Sequence, residues 1–256
     1  MKSNDEWLAW GERDPLYGVA TWPGRQRDGV NPWTDEEFYA LSKDWLDFYA
    51  VWKRTVGYHP GIVLEIGSGA GRITRMLAGA FEHVIATDVS PKMLEYAREK
   101  IHSPNIDWQV CDGDHIPATD ESVDAVFSCH VFQHFPSMAA QLSAFREVHR
   151  VLKPGGTFFV HLHVHVFPEM NASVARLVRA AYKTYARCAA ARGVVRRALM
   201  SLAGKGYMRD ISYELPQLFA DLDALGFVDV SLSTIRVHGF RSIHPCVLGK
   251  KPASHP

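Results

Sequence analysis

The sequence has no net charge to spend: across 256 residues, 28 Lys and Arg balance 28 Asp and Glu. No global field draws such a chain to nucleic acid or to an anionic membrane, and no nucleic-acid partner is expected. Cysteine is scarce. Cys111, Cys129, Cys188 and Cys246 stand apart without a C-x-x-C pair, which excludes a zinc knuckle or a disulfide framework and reads as reduced thiols. No run approaches the ~20 apolar residues that span a bilayer, and Met1 to Glu6 has no apolar stretch after its basic residue. A cytoplasmic protein without a transmembrane segment is the expectation.

What is present is a chain that should fold: 47% apolar and 22% charged residues suit one sizeable core. Residues 1–60 are crowded with aromatics, among them Trp7, Trp22, Trp33, Tyr39, Trp45 and Trp52. Pro15 to Pro32 reads as loop, and Thr34 before Asp35-Glu36-Glu37 reads as the N-cap of a helix. This extension is either a helix packed on the core or a lid over a site that must exclude water, and both readings stay open. From Gly61 strands and helices alternate, which predicts an α/β domain over 61–256. Its Rossmann-like sheet has seven mostly parallel strands, helices on both faces and an antiparallel last strand. The expected fifth strand runs from Thr157 to Val166. After it, residues 168–212 form a helical insertion with nine basic residues and no acidic one between Asn171 and Arg209.

The strand Val63-Leu64-Glu65-Ile66 enters Gly67-x-Gly69-x-Gly71 and then a helix, a turn that brings a ligand close to backbone amides. The third glycine of the dinucleotide fingerprint would fall at position 72, where the chain has Arg72, so NAD and FAD are disfavoured. Asp88 closes the second strand, where an acid can accept hydrogen bonds from both ribose hydroxyls.

These stretches resemble the class I S-adenosylmethionine-dependent methyltransferases with small-molecule acceptors. Further matches are Ala86 to Leu94, Cys111 to Pro117, Ser122 to Ser128, His130 to Phe135 and Arg146 to Gly156, so the likeness is strong over roughly 60–165. The resemblance implies S-adenosylmethionine as cofactor and S-adenosylhomocysteine as product. It further implies that Gly67, Ser68, Gly69 and Gly71 hold the methionine part, ordered by Glu65, and that Asp88 holds the ribose. Val89 and Met93 would flank the adenine, Asp112 and Gly113 would meet its amino group, and Cys129 joins the cofactor set.

A methyl sulfonium is already activated, so the protein mainly aligns donor and acceptor and keeps water out. A hydroxyl acceptor still needs a base, and histidine is abundant, at 13 residues. His130 and His134 follow the fourth strand, while His161, His163 and His165 alternate along the expected fifth and would share a face. His130, His134 and His163 are the catalytic candidates; His165, Trp22, Trp33 and Tyr39 are the acceptor-contacting ones. His134 is weighted towards shaping the pocket. The three alternating histidines, with Glu169, suggest a divalent metal, yet no carboxylate cluster follows the fourth strand. A metal is therefore not favoured and no ligand set is assigned.

Arg176, Arg179, Lys183 and Arg187 recur at helical spacing in the insertion, as a solvated face or as a site for an anionic acceptor. O-methylation of a small-molecule hydroxyl is the leading expectation, with N- or C-methylation next. A cofactor-binding subunit that docks an activating partner or RNA is a rival from another class. RNA modification is disfavoured because Ser128-Cys129-His130-Val131 replaces an Asn-Pro-Pro-Tyr type motif. The sequence leaves room for a homodimer.

Overall fold

The computed structural model describes residues 4–165, 212–236 and 243–254. Seven strands form the main sheet: β1 (Ile62–Ile66), β2 (His83–Asp88), β3 (Ile106–Val110), β4 (Val123–Ser128), β5 (Leu152–His161), β8 (Val228–Arg236) and β9 (Ile243–Lys250). Their order is β3-β2-β1-β4-β5-β9-β8. The first five are mutually parallel, and β9 runs antiparallel to both β5 and β8. This is the expected Rossmann-like sheet. Strand order reverses between β1 and β4, so the connections leaving these paired neighbours run to opposite faces of the sheet and open a crevice for a ligand.

Successive residues of the central strands bury on opposite faces. Val63, Phe127 and Phe159 pack with Trp45, Phe48 and Trp52 of α4 (Trp45–Thr55). Leu64, Val126 and Phe158 pack on the other face with Phe145 and Val148 of α7 (Met138–Val151) and Leu218 and Leu222 of α8 (Leu215–Ala224). Helices thus cover both faces, as a sheet of near-continuous apolar strands requires.

The N-terminal segment is helical in pieces: α1 (Asp5–Arg13), α2 (Pro15–Val19) and α3 (Asp35–Ala40) precede α4. Thr34 and Glu37 form a reciprocal capping box at the start of α3, the cap read from the sequence. The expected loop at 15–32 begins instead with α2, because Asp14 accepts the Tyr17 N–H and Pro15 occupies the first turn, where no N–H is needed. Between α3 and α4 a 3₁₀ turn (Leu41–Asp44) breaks the helix that Thr34 caps. The break separates two jobs. α4 belongs to the core, whereas Trp10, Leu16, Phe38 and Tyr39 cluster with Ala70 and Met93 beside the glycine turn.

A second correction concerns the histidine strand. β5 ends at His161; Leu162 interrupts it, and His163–His165 form a separate short strand, β6, paired in parallel with β7 (Ser212–Glu214). The three histidines therefore do not line one strand face. The basic insertion expected over 168–212 lies outside the described residues apart from Ser212, the first residue of β7, and Glu169 lies outside them as well. α5 (Thr74–Ala78) and α6 (Pro91–Lys100) complete the elements around the crevice.

Candidate active site

A cavity of about 780 Å³ opens at the carboxyl ends of β1, β2 and β4. Ile66, Gly67, Gly69 and Arg72 form one side, Asp88, Val89 and Met93 the next, and Cys111, Asp112 and Gly113 follow after β3. Cys129, His130, Gln133 and His134 close the β4 side with His163 and His244, while Asn4, Trp7, Val19 and Trp22 reach over from the N-terminal segment.

The turn after β1 needs its glycines. Gly67 has φ 73° and Gly69 φ 54°, the left-handed region where a Cβ strains the backbone. A Cβ on Gly67 would lie 2.3 Å from Val131 Cγ2, and one on Gly69 would lie 2.6 Å from Val19 Cγ2. The glycine backbone consequently packs directly against Val131 and Val19, and its amides are tied back to β2, Gly67 and Ser68 donating to the Thr87 carbonyl. The Gly69 N–H donates to Asp88 Oδ2 at 2.8 Å and the Ser90 N–H to Oδ1 at 2.9 Å, so the carboxylate is fixed while each oxygen keeps a lone pair. Burial pushes the Asp88 carboxyl above its ordinary range, opposed by those amide bonds. Ser90, not Asp88, caps α6 by accepting the Met93 N–H.

Glu65, Ser68 and Gly71 stand behind the wall. Glu65 is buried and accepts the Thr74 hydroxyl at 2.5 Å; burial, reinforced by the Asp88 charge, raises it to about 7. Asp112 has another arrangement: its Oδ1 accepts the Asp114 and His115 amides, which hold it below the usual carboxylate range, and its carbonyl accepts from the Asn4 side chain at 2.6 Å. Burial raises Cys111 to about 11 and Cys129 to about 12, so both stay thiols and neither is a nucleophile at neutral pH.

The fourth strand delivers its histidines abruptly. His130 takes φ 60°, unusual for a residue with a Cβ, and its N–H donates to Nδ1 of buried His161 at 3.2 Å. The His161 ring packs 4.2 Å from His130, and its Nε2 lies 3.1 Å from Nδ1 of His244. Burial, then the neighbouring imidazoles and Arg72, draws His130 far below the ordinary histidine range; burial and His244 do the same to His161. Both are neutral. His134 lies in a 3₁₀ turn (Phe132–His134) with its ring 4.9 Å from Trp7.

The substrate candidates separate. Trp22 lines the cavity, with Trp33 packed on its edge 5.0 Å away and turned to donate to the Ala20 carbonyl. Tyr39 is buried and donates to the Ala70 carbonyl, holding the glycine turn from behind. The side chain of His165 lies outside the described residues. Sequence reasoning missed His244, Trp7 and Asn4, which come from remote segments, passed over Gln133 beside His134, and used Arg72 only to exclude dinucleotides. Arg72 is buried on the cavity wall with Nε unpartnered among the described residues, and Gln133 Oε1 is likewise unpartnered. A polar ligand would satisfy both.

The family model described as "Methyltransferase domain" matches residues 64–160, the span from β1 through β5. This stretch is a class I S-adenosylmethionine-dependent methyltransferase domain. An uncharacterised methyltransferase-like protein of Schizosaccharomyces pombe is 42% identical over 37% of this chain and 35% of its own. The ubiquinone/menaquinone biosynthesis C-methyltransferase of Desulfotalea psychrophila is 35% identical over 38% of this chain and 39% of its own. The chain thus spans well under half the length of either relative. Among solved structures, a Haloferax volcanii methyltransferase complexed with the Trm112 activator aligns over 97% of this chain and 98% of its own, with a TM-score of 0.61 at 17% identity. That likeness extends the shared fold beyond the matched domain.

Proposed function

We propose that this chain binds S-adenosylmethionine in the cavity and methylates a hydroxyl of a small molecule. The observation that carries this reading is the meeting of two walls in one cavity: the side-chain-free turn with its fixed Asp88, and the neutral histidines after β4. The residues fit the cofactor. The turn without side chains at Gly67 and Gly69, the oriented Asp88 carboxylate and the unpartnered Arg72 Nε suit its polar parts, and Val89 and Met93 offer apolar flanks. When bound, the cofactor supplies a methyl group activated on a sulfonium.

The chain's own residues do the rest. Trp7, Val19 and Trp22 exclude water from above, so residues 1–60 act as a lid as well as part of the core. His130 accepts the proton that the hydroxyl loses during attack. Its depressed basicity suits an acceptor acidic enough to yield that proton, such as a phenol or an enol. His134 and His163 shape the acceptor side. None of the described helices is long and apolar enough to cross a membrane. The C-methyltransferase relative supports a second reading, methylation of carbon beside a phenolic oxygen, with the same base.

The test is a panel of phenols, sugars, amines and enols incubated with purified protein and methyl-labelled cofactor. Label on oxygen is the expected outcome, and label confined to amines would overturn the reading. Calorimetry with S-adenosylhomocysteine checks the cofactor separately.

A further inference from the structure

His161 and His244 belong to different strands, β5 and β9, which pair directly in the sheet with His161 opposite Cys246. The family stretches do not include His244, yet it lines the cavity and faces His161. The hydrogen bonds assign the protons. His161 Nδ1 receives a backbone N–H, so it carries a lone pair and the neutral ring holds its proton on Nε2. That Nε2–H points at Nδ1 of His244, which must accept, so a neutral His244 carries its own proton on Nε2. Neither ring has a lone pair left to take a proton from an acceptor. His130, whose ring contacts both, is the member of the trio that keeps one.

We propose that His161 and His244 are positioning residues: a directed chain from the His130 amide through His161 to His244 locks two tautomers, pins the left-handed backbone at His130 and presents its imidazole as proton acceptor. The inference rests on the reading of His130 as the base. The strained backbone is what such a clamp has to hold, since a φ of 60° at a residue with a Cβ persists only where surroundings impose it. Arg72, Asp44, His134 and His163 are the other charged or titratable groups around the trio. Burial and the mutual proximity of the rings keep all three neutral, the state in which the chain is directional.

The competing use of three imidazoles is a metal centre. Ring nitrogens of His130, His161 and His244 lie within 4.8 Å of one another, a spacing that a divalent ion also requires. A metal-bound histidine, however, donates its other ring N–H to an acceptor. His161 does the reverse. Ligation through its Nε2 would demand either an imidazolate or loss of the hydrogen bond from His130, with the Arg72 cation bearing on the same cluster.

The experiment is long-range proton–nitrogen NMR on the full chain labelled with [15N]histidine, with signals assigned by single substitutions. Between pH 6 and 8, His161 and His244 should both appear as neutral Nε2–H tautomers, before and after addition of one equivalent of zinc chloride. A proton on Nδ1 of His161, a charged ring, or zinc-induced shifts in all three imidazoles would overturn the proposal, the last in favour of a metal centre. Two variants add the functional arm, read with a hydroxyl acceptor from the panel. His161→Asn keeps an acceptor oxygen where Nδ1 stood and should retain kcat within about threefold, whereas His161→Leu should lower it about a hundredfold with KM little changed. Equal losses in both would mean packing rather than positioning. Label found only on amines would sink the O-methylation reading while leaving the tautomers legible, so the two failures are distinguishable.

Discussion

Val19 seals the glycine turn: its Cγ2 stands 2.6 Å from where a Cβ on Gly69 would be, so the end of α2 and the cofactor wall interlock. The contact explains why the N-terminal segment and the turn are built for each other. Gly69→Ala meets two penalties, the φ of 54° and the collision with Val19. The first costs about 1–2 kcal/mol for a residue with a Cβ. Gly69→Ala should weaken S-adenosylhomocysteine binding at least tenfold by calorimetry, and Val19→Ala should recover part of that loss in the double variant. No recovery would show that α2 does not rest on the turn.

Glu65 provides a pH signature. Burial raises its folded-state pKa to about 7 from an ordinary value of 4.5. Because the folded value is the higher one, the associated stability is full below about 4.5 and is lost as pH rises through about 7. The whole effect is about 3 kcal/mol at most. Glu65→Gln keeps an oxygen for the Thr74 hydroxyl and removes the charge. It should raise the melting temperature by several degrees at pH 8, and much less at pH 5. Equal shifts at both pH values would count against a buried, titrating carboxyl.

Asp88 differs because backbone amides hold both of its oxygens. Asp88→Asn places an amide NH₂ against the Gly69 or Ser90 N–H, donor facing donor. Binding of S-adenosylhomocysteine should fall by more than tenfold, and the orphaned amide should lower stability by about 1–3 kcal/mol in thermal melting. Tight binding by this variant would remove Asp88 from the cofactor site.

The sheet and the glycine side of the cavity were legible in the sequence because each signal there is local. A strand of apolar residues, a turn whose glycines need positive φ, and an acid at the next strand's end lie within some two dozen residues. The histidine side was less legible. His161, His163 and His165 alternate as on one strand, but the chain leaves the sheet at Leu162, and nothing in the alternation marks that exit. His244 is invisible from spacing because β9 brings it to His161 through pairing across 83 residues. Arg72 could have been found: a charged residue just after a glycine turn has few places to go except the ligand cavity.

Trp52 and Trp22 offer a test of whether the aromatic extension serves as core, as lid or as both. Trp52 is fully buried, stacks on Phe127 with an interplanar angle of 27° and donates from Nε1 to Thr157 Oγ1 at 3.1 Å. Trp52→Ala therefore opens a cavity beneath the sheet and removes one of the two hydrogen bonds of the Thr157 hydroxyl, which still donates to the Gly57 carbonyl, at a cost of about 3–5 kcal/mol. Trp22 borders the ligand cavity and packs edge-on against Trp33, away from the α4 core. Trp22→Ala should change stability by less than about 1 kcal/mol in denaturant melts, yet weaken acceptor binding or turnover severalfold, because it removes a wall rather than a foundation. Matching losses of stability in both variants would make the entire extension core and leave the cavity without a lid.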